Sequence, residues 1–310
     1  MKSRCRVLGA AVLGAVLGAA VPGAAQGRIT NARTETRSAV QGLDREVRAV
    51  VARGTATWIG YRVPMIAGPR QMCCYDSMGT GVPVSGVGTP VPCCGTCRLE
   101  SGGGVTMTTG DARGSRITLE PPTEFLILAR VEAGAVMRVR TFTPDCDVDA
   151  SGMPLVWLTD VKPDESVAWL SSLVSGAGSD SERVNRVANP ALSALAFQSG
   201  QPAIEALIGV ARTSPVARVR GQALFWLAHK AGQQAMATIT NAIENDPETD
   251  VKKRAVFALS QLPKDEGVPR LMEVARTNRN AEVRKQAMFW LGESKDPRAV
   301  KFFEDILLKK

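Results

Sequence analysis

Apolar positions recur along the C-terminal part of the chain with one fixed spacing. Val219, Val251 and Val283 stand 32 residues apart, as do Ala223, Ala255 and Ala287. Phe225, Phe257 and Phe289 keep the same interval, and so do Leu227, Leu259 and Leu291. Further along each block, Met236, Val268 and Val300 correspond, then Ile239, Leu271 and Phe303. One period earlier, Val187, Ala191, Leu195, Ile204 and Leu207 fall in register. The pattern therefore predicts four units, at 183–214, 215–246, 247–278 and 279–310. Each unit holds two stretches with apolar residues at helical spacing, separated by a short polar break. The Ala in the first stretch is small enough to let neighbouring helices approach. A single helix pair cannot bury such a stripe against itself, so successive pairs must stack into an α-solenoid.

The N-terminal half has a different pattern. Val40, Leu43, Val47, Val50 and Val51 recur at helical spacing and Gly54 sits at a C-cap position, so 26–54 reads as a helical segment. Strand-like runs follow at 55–63, ended by Pro64, and at 116–120, 124–132, 135–143 and 155–161. The runs at 124–132 and 135–143 meet at Ala133-Gly134, which predicts a hairpin. A small β-rich domain at 55–161 results. Pro163, Asp164 and Glu165 then open a helix carrying Trp169, Leu170, Leu173 and Val174. With the Gly/Ser loop behind it, this helix makes 162–182 a capping segment for the first repeat. The fold class is α+β, in two parts: a disulfide-containing β-rich domain followed by an α-solenoid.

The first stretches of the repeats, running from Val219 to Ala228, from Val251 to Ser260 and from Val283 to Gly292, resemble the first helix of short HEAT-like repeats of the phycobilisome-lyase type. The run Asp296-Pro297-Arg298-Ala299-Val300 is similar to the turn into their second helix. The resemblance covers about 183–310 and implies a scaffold that binds a protein or peptide, with no particular reaction. It also implies that an acidic residue before the Val and a basic one after it tie neighbouring repeats. Asp250/Lys252 and Glu282/Arg284 match, whereas Arg218 departs from the pattern. Second helices in such arrays normally line the inner, concave surface. The partner-binding residues expected there are Thr238, Asn241, Arg270, Glu273, Lys301 and Glu304.

The extreme N-terminus changes the compartment. Lys2, Arg4 and Arg6 precede an apolar run at 7–21 and the small residues Gly23-Ala24-Ala25. This is the layout of a secretory signal cleaved after Ala25, which makes 1–25 a signal peptide and the mature chain periplasmic or secreted. The apolar run is shorter than the roughly 20 residues of a spanning helix, so no stable membrane insertion is expected after cleavage. The net charge of +8 is uneven: 183–310 holds 20 Lys/Arg against 13 Asp/Glu. Because those charges alternate in sign along helices and the chain is exported, they read as a solvated face and not as a nucleic-acid site.

Beyond Cys5, the cysteines are Cys73, Cys74, Cys93, Cys94, Cys97 and Cys146, all outside the repeats. In an oxidising compartment they read as structural disulfides of undetermined connectivity, stapling the Gly/Pro-rich segment 67–113. The alternative is a redox or zinc-binding protein that uses Cys73, Cys74, Cys93, Cys94 and Cys97, with the repeats as a docking arm. Asp145, Asp147 and Asp149 alternate as in a calcium loop, but Val156 stands where the twelfth-position Glu belongs, so a pinned turn is the competing reading. No metal or cofactor is assigned. Phe225, Phe257 and Phe289 pack between repeats or offer an aromatic ladder, while Trp226 and Trp290 read as core. His229 is the only histidine and lies at a helix end. With no catalytic motif beside it, the chain is expected not to be an enzyme. Oligomeric state is not readable from the sequence.

Overall fold

The computed structural model describes residues 28–67, 97–100, 121–144 and 146–308. The expected leader at 1–25, the strand at 116–120, Asp145 and the cysteines Cys73, Cys74, Cys93 and Cys94 lie outside them; of Cys97 only the backbone is described. Cys146 is thus the one cysteine side chain on view, and no pair of bonded sulfurs is seen among the described residues. The expected cross-links at Cys73, Cys74, Cys93 and Cys94 lie outside the described residues.

Two sheets form the N-terminal part. The larger contains β2 (Arg33–Ser38), β3 (Thr57–Pro64), β5 (Glu124–Glu132), β6 (Ala135–Phe142) and β8 (Pro154–Thr159), in the order β2-β8-β3-β5-β6. The smaller contains β1 (Arg28–Thr30), β7 (Asp147–Asp149) and β4 (Cys97–Arg98), in the order β1-β7-β4. β8 runs parallel to both β2 and β3, and helix α1 (Leu43–Val51) carries the chain from β2 across to β3. Strands β3, β5 and β6 are antiparallel. Residues 28–38 therefore add strands to both sheets, and 26–54 is not the purely helical segment that the apolar spacing predicts. β2 reads Arg-Thr-Glu-Thr-Arg-Ser and is almost wholly exposed. Such an edge strand owes its conformation to its partner β8, because it has no apolar alternation of its own.

The central strands are apolar at consecutive positions because both faces of the sheet are covered. Trp58, Leu126, Leu128, Leu155 and Trp157 point to the small sheet and share a core with Leu99, Val148 and Cys146. Ile59, Tyr61, Val63, Phe125, Ile127, Val156 and Leu158 point to the helices. Gly60 belongs at the centre of this packing: a Cβ there would stand 2.7 Å from Leu128 Cδ2 and 2.9 Å from the Trp157 ring. The β5–β6 turn is Ala133-Gly134, with φ of 49° and 79°. Two positive φ values in a two-residue loop match the twist of the flanking strands.

Helix α2 (Pro163–Ser175) lies between the sheet and the helical part. α3 (Ser181–Arg183) continues through a π turn, Val184–Ala188, into α4 (Asn189–Phe197). The π turn falls just before Pro190, whose missing N–H cannot continue the regular ladder. The remaining helices are α5 (Gln201–Thr213), α6 (Ala217–Ala231), α7 (Gln233–Asn245), α8 (Thr249–Ser260), α9 (Lys264–Thr277), α10 (Ala281–Glu293) and α11 (Pro297–Leu308). The first helices α4, α6, α8 and α10 pack on one another down the array, and each of α5, α7 and α9 is covered by the first helix of the next pair. Ala223, Ala255 and Ala287 are fully buried at those contacts.

Sheet and array share one continuous core. α2 packs on α4 and α5, and the Trp169 ring meets the Tyr61 ring edge-on at 5.9 Å. Beyond the end of β3, Ile66 N–H donates to Phe197 O and Ser199 N–H to Pro64 O. A buried polar chain crosses the same seam: the Tyr61 hydroxyl meets Ser166 Oγ at 3.0 Å, which donates to Gln198 Oε1, while Gln198 Nε2 donates to Pro163 O. Burial drives the Tyr61 hydroxyl pKa far above its ordinary value, with the Ser166 bond opposing it only weakly, so the tyrosine stays neutral and serves as a structural hydrogen-bonding group. Among the described residues no helix is long and apolar enough to cross a membrane.

Candidate partner-binding face

The joints between repeats are built from polar residues that also keep the 32-residue interval. Ser214 Oγ, Asp246 Oδ1 and Asn278 Oδ1 each accept from the backbone N–H two residues on, at Val216, Glu248 and Asn280. They stand at the C-terminal ends of α5, α7 and α9 and turn the chain into α6, α8 and α10. Arg220, Lys252 and Arg284 reach back from the following helix to the carbonyls of Ser214, Glu244 and Asn278. Asn278 Nδ2 in turn donates to Glu244 Oε1.

Between the joint before α6 and the joint after α7 this ladder includes a buried ion pair. Arg220 Nε and Nη2 donate to the two carboxylate oxygens of Asp246 at 2.7 and 2.9 Å. Both side chains are less than a tenth exposed. Burial alone would raise the Asp246 pKa. The hydrogen bonds from Arg220 and from the Glu248 N–H outweigh it and hold the carboxyl below its ordinary value. The structure thus corrects the tie expected from the resemblance. Its basic members, Lys252 and Arg284, do bind the preceding turn, but Asp250 is solvent-exposed and pairs with Lys253. An acid in the first turn of α8 is favoured by the helix dipole, which explains its presence without a partner in the next repeat. The joint that departs from the pattern at Arg218 is the one that holds the buried pair.

Close contact of the first helices leaves the second helices wider apart, and grooves open between them. A groove of about 580 Å³ lies between α9 and α11. Pro269, Met272 and Phe302 supply its apolar part, and Glu273, Arg276, Arg298, Lys301 and Asp305 rim it. The Arg276 guanidinium stands 4.7 Å from the centre of the Phe302 ring. Glu273 is held by Arg270 at 2.7 Å and Arg298 by Asp296 at 2.8 Å. Arg276 forms no ion pair among the described residues. A second groove of about 250 Å³ lies between α5 and α7, with Arg212, Thr238, Asn241 and Asn245 around it and the Arg220–Asp246 pair at its base.

The residues singled out in the sequence are distributed between these places. Glu273 and Lys301 line the first groove, Thr238 and Asn241 the second. Thr238 is 3% exposed, so it forms groove floor and not open surface. Arg270 reaches the first groove only through Glu273, and Glu304 is exposed in neither. Met272, Arg276 and Phe302 were not foreseen. Their one signal is amphipathic spacing across two helices from different repeats, which a repeat alignment does not pair.

The aromatic residues form a chain through the array. Phe125 meets Phe197 at 6.4 Å, Phe197 meets Trp226 at 5.4 Å, and Trp226 meets Phe225 at 5.1 Å. Phe225 stacks on Phe257 at 5.9 Å, and Phe257 contacts Trp290 at 4.8 Å. Phe225 and Phe257 therefore pack between repeats, whereas Phe289 is 55% exposed. Trp226 is core, and Trp290 is only partly buried. The His229 ring lies 4.5 Å from that of Phe225. Asp149 does not face an open loop: it accepts from the Ser151 N–H and Asn31 Nδ2, which lower its pKa and pin the turn after β7. No group of three metal-ligating side chains occurs among the described residues.

A family profile for HEAT repeats matches residues 236–310. That stretch, from α7 to α11, is similar to HEAT repeats, and the helix pairs before it keep the same 32-residue interval. HEAT repeats commonly serve as protein–protein interaction scaffolds, and the N-terminal region carries no recognised family. No curated protein matches the chain.

Proposed function

We propose that this HEAT-like chain is an exported, non-enzymatic scaffold that holds a protein or peptide partner on the second-helix face of its array. The observation that carries the reading is the groove between α9 and α11. It combines an apolar floor at Met272 and Phe302 with a cation, Arg276, that has no ion-pair partner among the described residues. A peptide with an apolar side chain next to a carboxylate would bury the first and pair with the second. The fold supports a binding role in a further way. α2 and the sheet close the first repeat, which leaves the side surfaces of the array available.

Export follows from the leader-like residues 1–25, and a periplasmic or secreted chain would oxidise its cysteines. We therefore also propose that Cys73, Cys74, Cys93, Cys94, Cys97 and Cys146 are in structural disulfides. Cys146 is fully buried, which suits a structural half-cystine better than a reactive thiol. Titration of thiols in the denatured, unreduced protein separates this from the redox or zinc alternative. No reactive thiol and no bound metal is the expected result, and a titrating pair or one zinc per chain would replace it.

The scaffold reading is tested with the purified chain immobilised and exposed to envelope extract, beside Met272→Arg and Arg276→Glu variants. The expected result is a partner retained by the wild type and lost by both variants, with unchanged circular dichroism. Equal retention by all three proteins would refute the groove as the binding site.

A further inference from the structure

The two grooves on the second-helix face are in register with each other. Arg212 in the last turn of α5 and Arg276 in the last turn of α9 hold the same position in their units, two repeats apart. Each lines its groove and each is exposed. The neighbouring charges are engaged within the chain: Arg220 with Asp246, Arg270 with Glu273, Arg298 with Asp296 and Lys301 with Asp305. Neither Arg212 nor Arg276 has an ion-pair partner among the described residues. The unit between them is different. It carries Glu244 where the flanking units carry arginine, and Glu244 accepts from Asn278 Nδ2 at 3.2 Å. Charge at this position therefore runs positive, negative, positive along the face. The groove floors differ as well. Thr238 lines the groove of Arg212, whereas its counterpart in the groove of Arg276 is the apolar Phe302.

An extended polypeptide laid across the second helices would meet these charges in turn. Packed helices stand about 8–10 Å apart, so two repeats span about 20 Å. An extended strand advances about 3.3 Å per residue, so about six residues cover that distance. An even separation also puts both side chains on one face of the strand. We propose that the partner is an acidic peptide segment with two carboxylates six residues apart, bound extended across α5, α7 and α9. One carboxylate pairs with Arg212 and the other with Arg276. An apolar side chain beside the second enters the groove between α9 and α11, and no acid stands midway, where Glu244 would repel it. The proposal rests on the second-helix face being the binding face, and it adds the partner's chemistry and spacing. Each exposed pair contributes little alone, so selectivity comes from making both contacts at once.

Fluorescence anisotropy of labelled synthetic peptides on the purified chain, at low ionic strength, tests this. The main probe carries Leu-Glu and a second Glu six positions from the first, in a Gly/Ser background, made in both chain directions. Two controls have the second Glu only three positions away, or replaced by Gln. The six-residue spacing is expected to bind about 2- to 5-fold tighter than either control, an advantage that fades as salt is raised. Arg212→Glu should abolish that advantage, and a probe with Lys in place of the second Glu should recover it on this variant. A merely structural role for Arg212 would not produce that exchange. Arg212 is exposed, so the circular dichroism of the variant should match the wild type. Equal affinity for both spacings, or an Arg212→Glu variant that binds every probe as the wild type does, would overturn the two-cation partner. If Met272→Arg still abolished binding in that case, the groove between α9 and α11 would stand as a site of its own. No binding of any probe by the wild type at millimolar concentration would overturn both.

Discussion

Replacing Arg220 by Met tests how the repeats are coupled. The guanidinium makes three hydrogen bonds: two to the Asp246 carboxylate at 2.7 and 2.9 Å and one to Ser214 O at 2.9 Å. Methionine fills the aliphatic part of the site but leaves Asp246 with only its bond from the Glu248 N–H. A charge-assisted hydrogen bond contributes about 1.5–3 kcal/mol, and breaking a buried pair by removing one partner costs about 3–5 kcal/mol, chiefly from the stranded charge. Arg220→Met should therefore destabilise the chain by about 3–5 kcal/mol. Asp246→Asn in the same protein should return most of that loss. It removes the stranded charge and keeps the carbonyl oxygen that accepts from the Glu248 N–H, which is the arrangement Asn278 already has one repeat later. The double variant is expected within about 1–2 kcal/mol of the wild type, a strong coupling for two groups in direct contact. Urea denaturation followed by far-ultraviolet circular dichroism measures all four proteins. The acid limb adds a signed check. Asp246 has a lowered pKa in the folded chain, so its contribution is complete above the unfolded value of about 3.9 and disappears as the pH falls through the folded value. The penalty of Arg220→Met should shrink below about pH 4 for that reason. Additive single-variant costs, or an Arg220→Met loss under about 1 kcal/mol at neutral pH, would refute the view that this pair is a buried tie between joints.

Other positions give independent checks. Ala133 holds φ at 49° in the β5–β6 turn, where Asn is far better tolerated, so Ala133→Asn should raise stability by about 0.5–1 kcal/mol in the same denaturation assay. Gly267 sits where a Cβ would come within 2.6 Å of the Leu259 carbonyl oxygen; Gly267→Ala should cost about 1–3 kcal/mol by wedging α8 and α9 apart, and a neutral result would contradict the close approach. The Asp296 carboxyl is pulled down to about 2 by the side chain and then the backbone N–H of Arg298. Its contribution should be present above about pH 4 and lost between there and about pH 2. Asp296→Asn should remove that step from an acid titration of helicity. Ala255 is fully buried between first helices, so Ala255→Arg should unfold the helical part in one transition, and loss of a single repeat would contradict a shared core.

Much of this architecture could be read from residue order alone. Helix pairs at a 32-residue interval leave a direct imprint, because each must place small and apolar residues at the same offsets to meet its neighbours. The strands at 124–142 and their Ala133-Gly134 turn were legible for a related reason, since hairpin geometry is local. β2 was not, because an exposed edge strand carries no apolar signature and depends on β8, more than a hundred residues away. The Arg220–Asp246 tie was likewise hidden. The resemblance pointed to an acid beside the Val, but the turn geometry puts the carboxylate at the end of α7, 26 residues from its partner.

What the sequence determined by itself was periodicity, and with it the stacking of helix pairs and the separation of a sheet-forming part from a helical one. Only the tertiary structure decided which of the equivalent positions are covered. Val268 and Val300 are the same residue at the same offset, yet one is core and the other surface. The physical reason is that burial belongs to the neighbour and not to the residue: α10 stands over the first, and no described element stands over the second. The groove at Met272, Arg276 and Phe302 arises the same way, from the gap that tightly packed first helices leave between the second helices they carry.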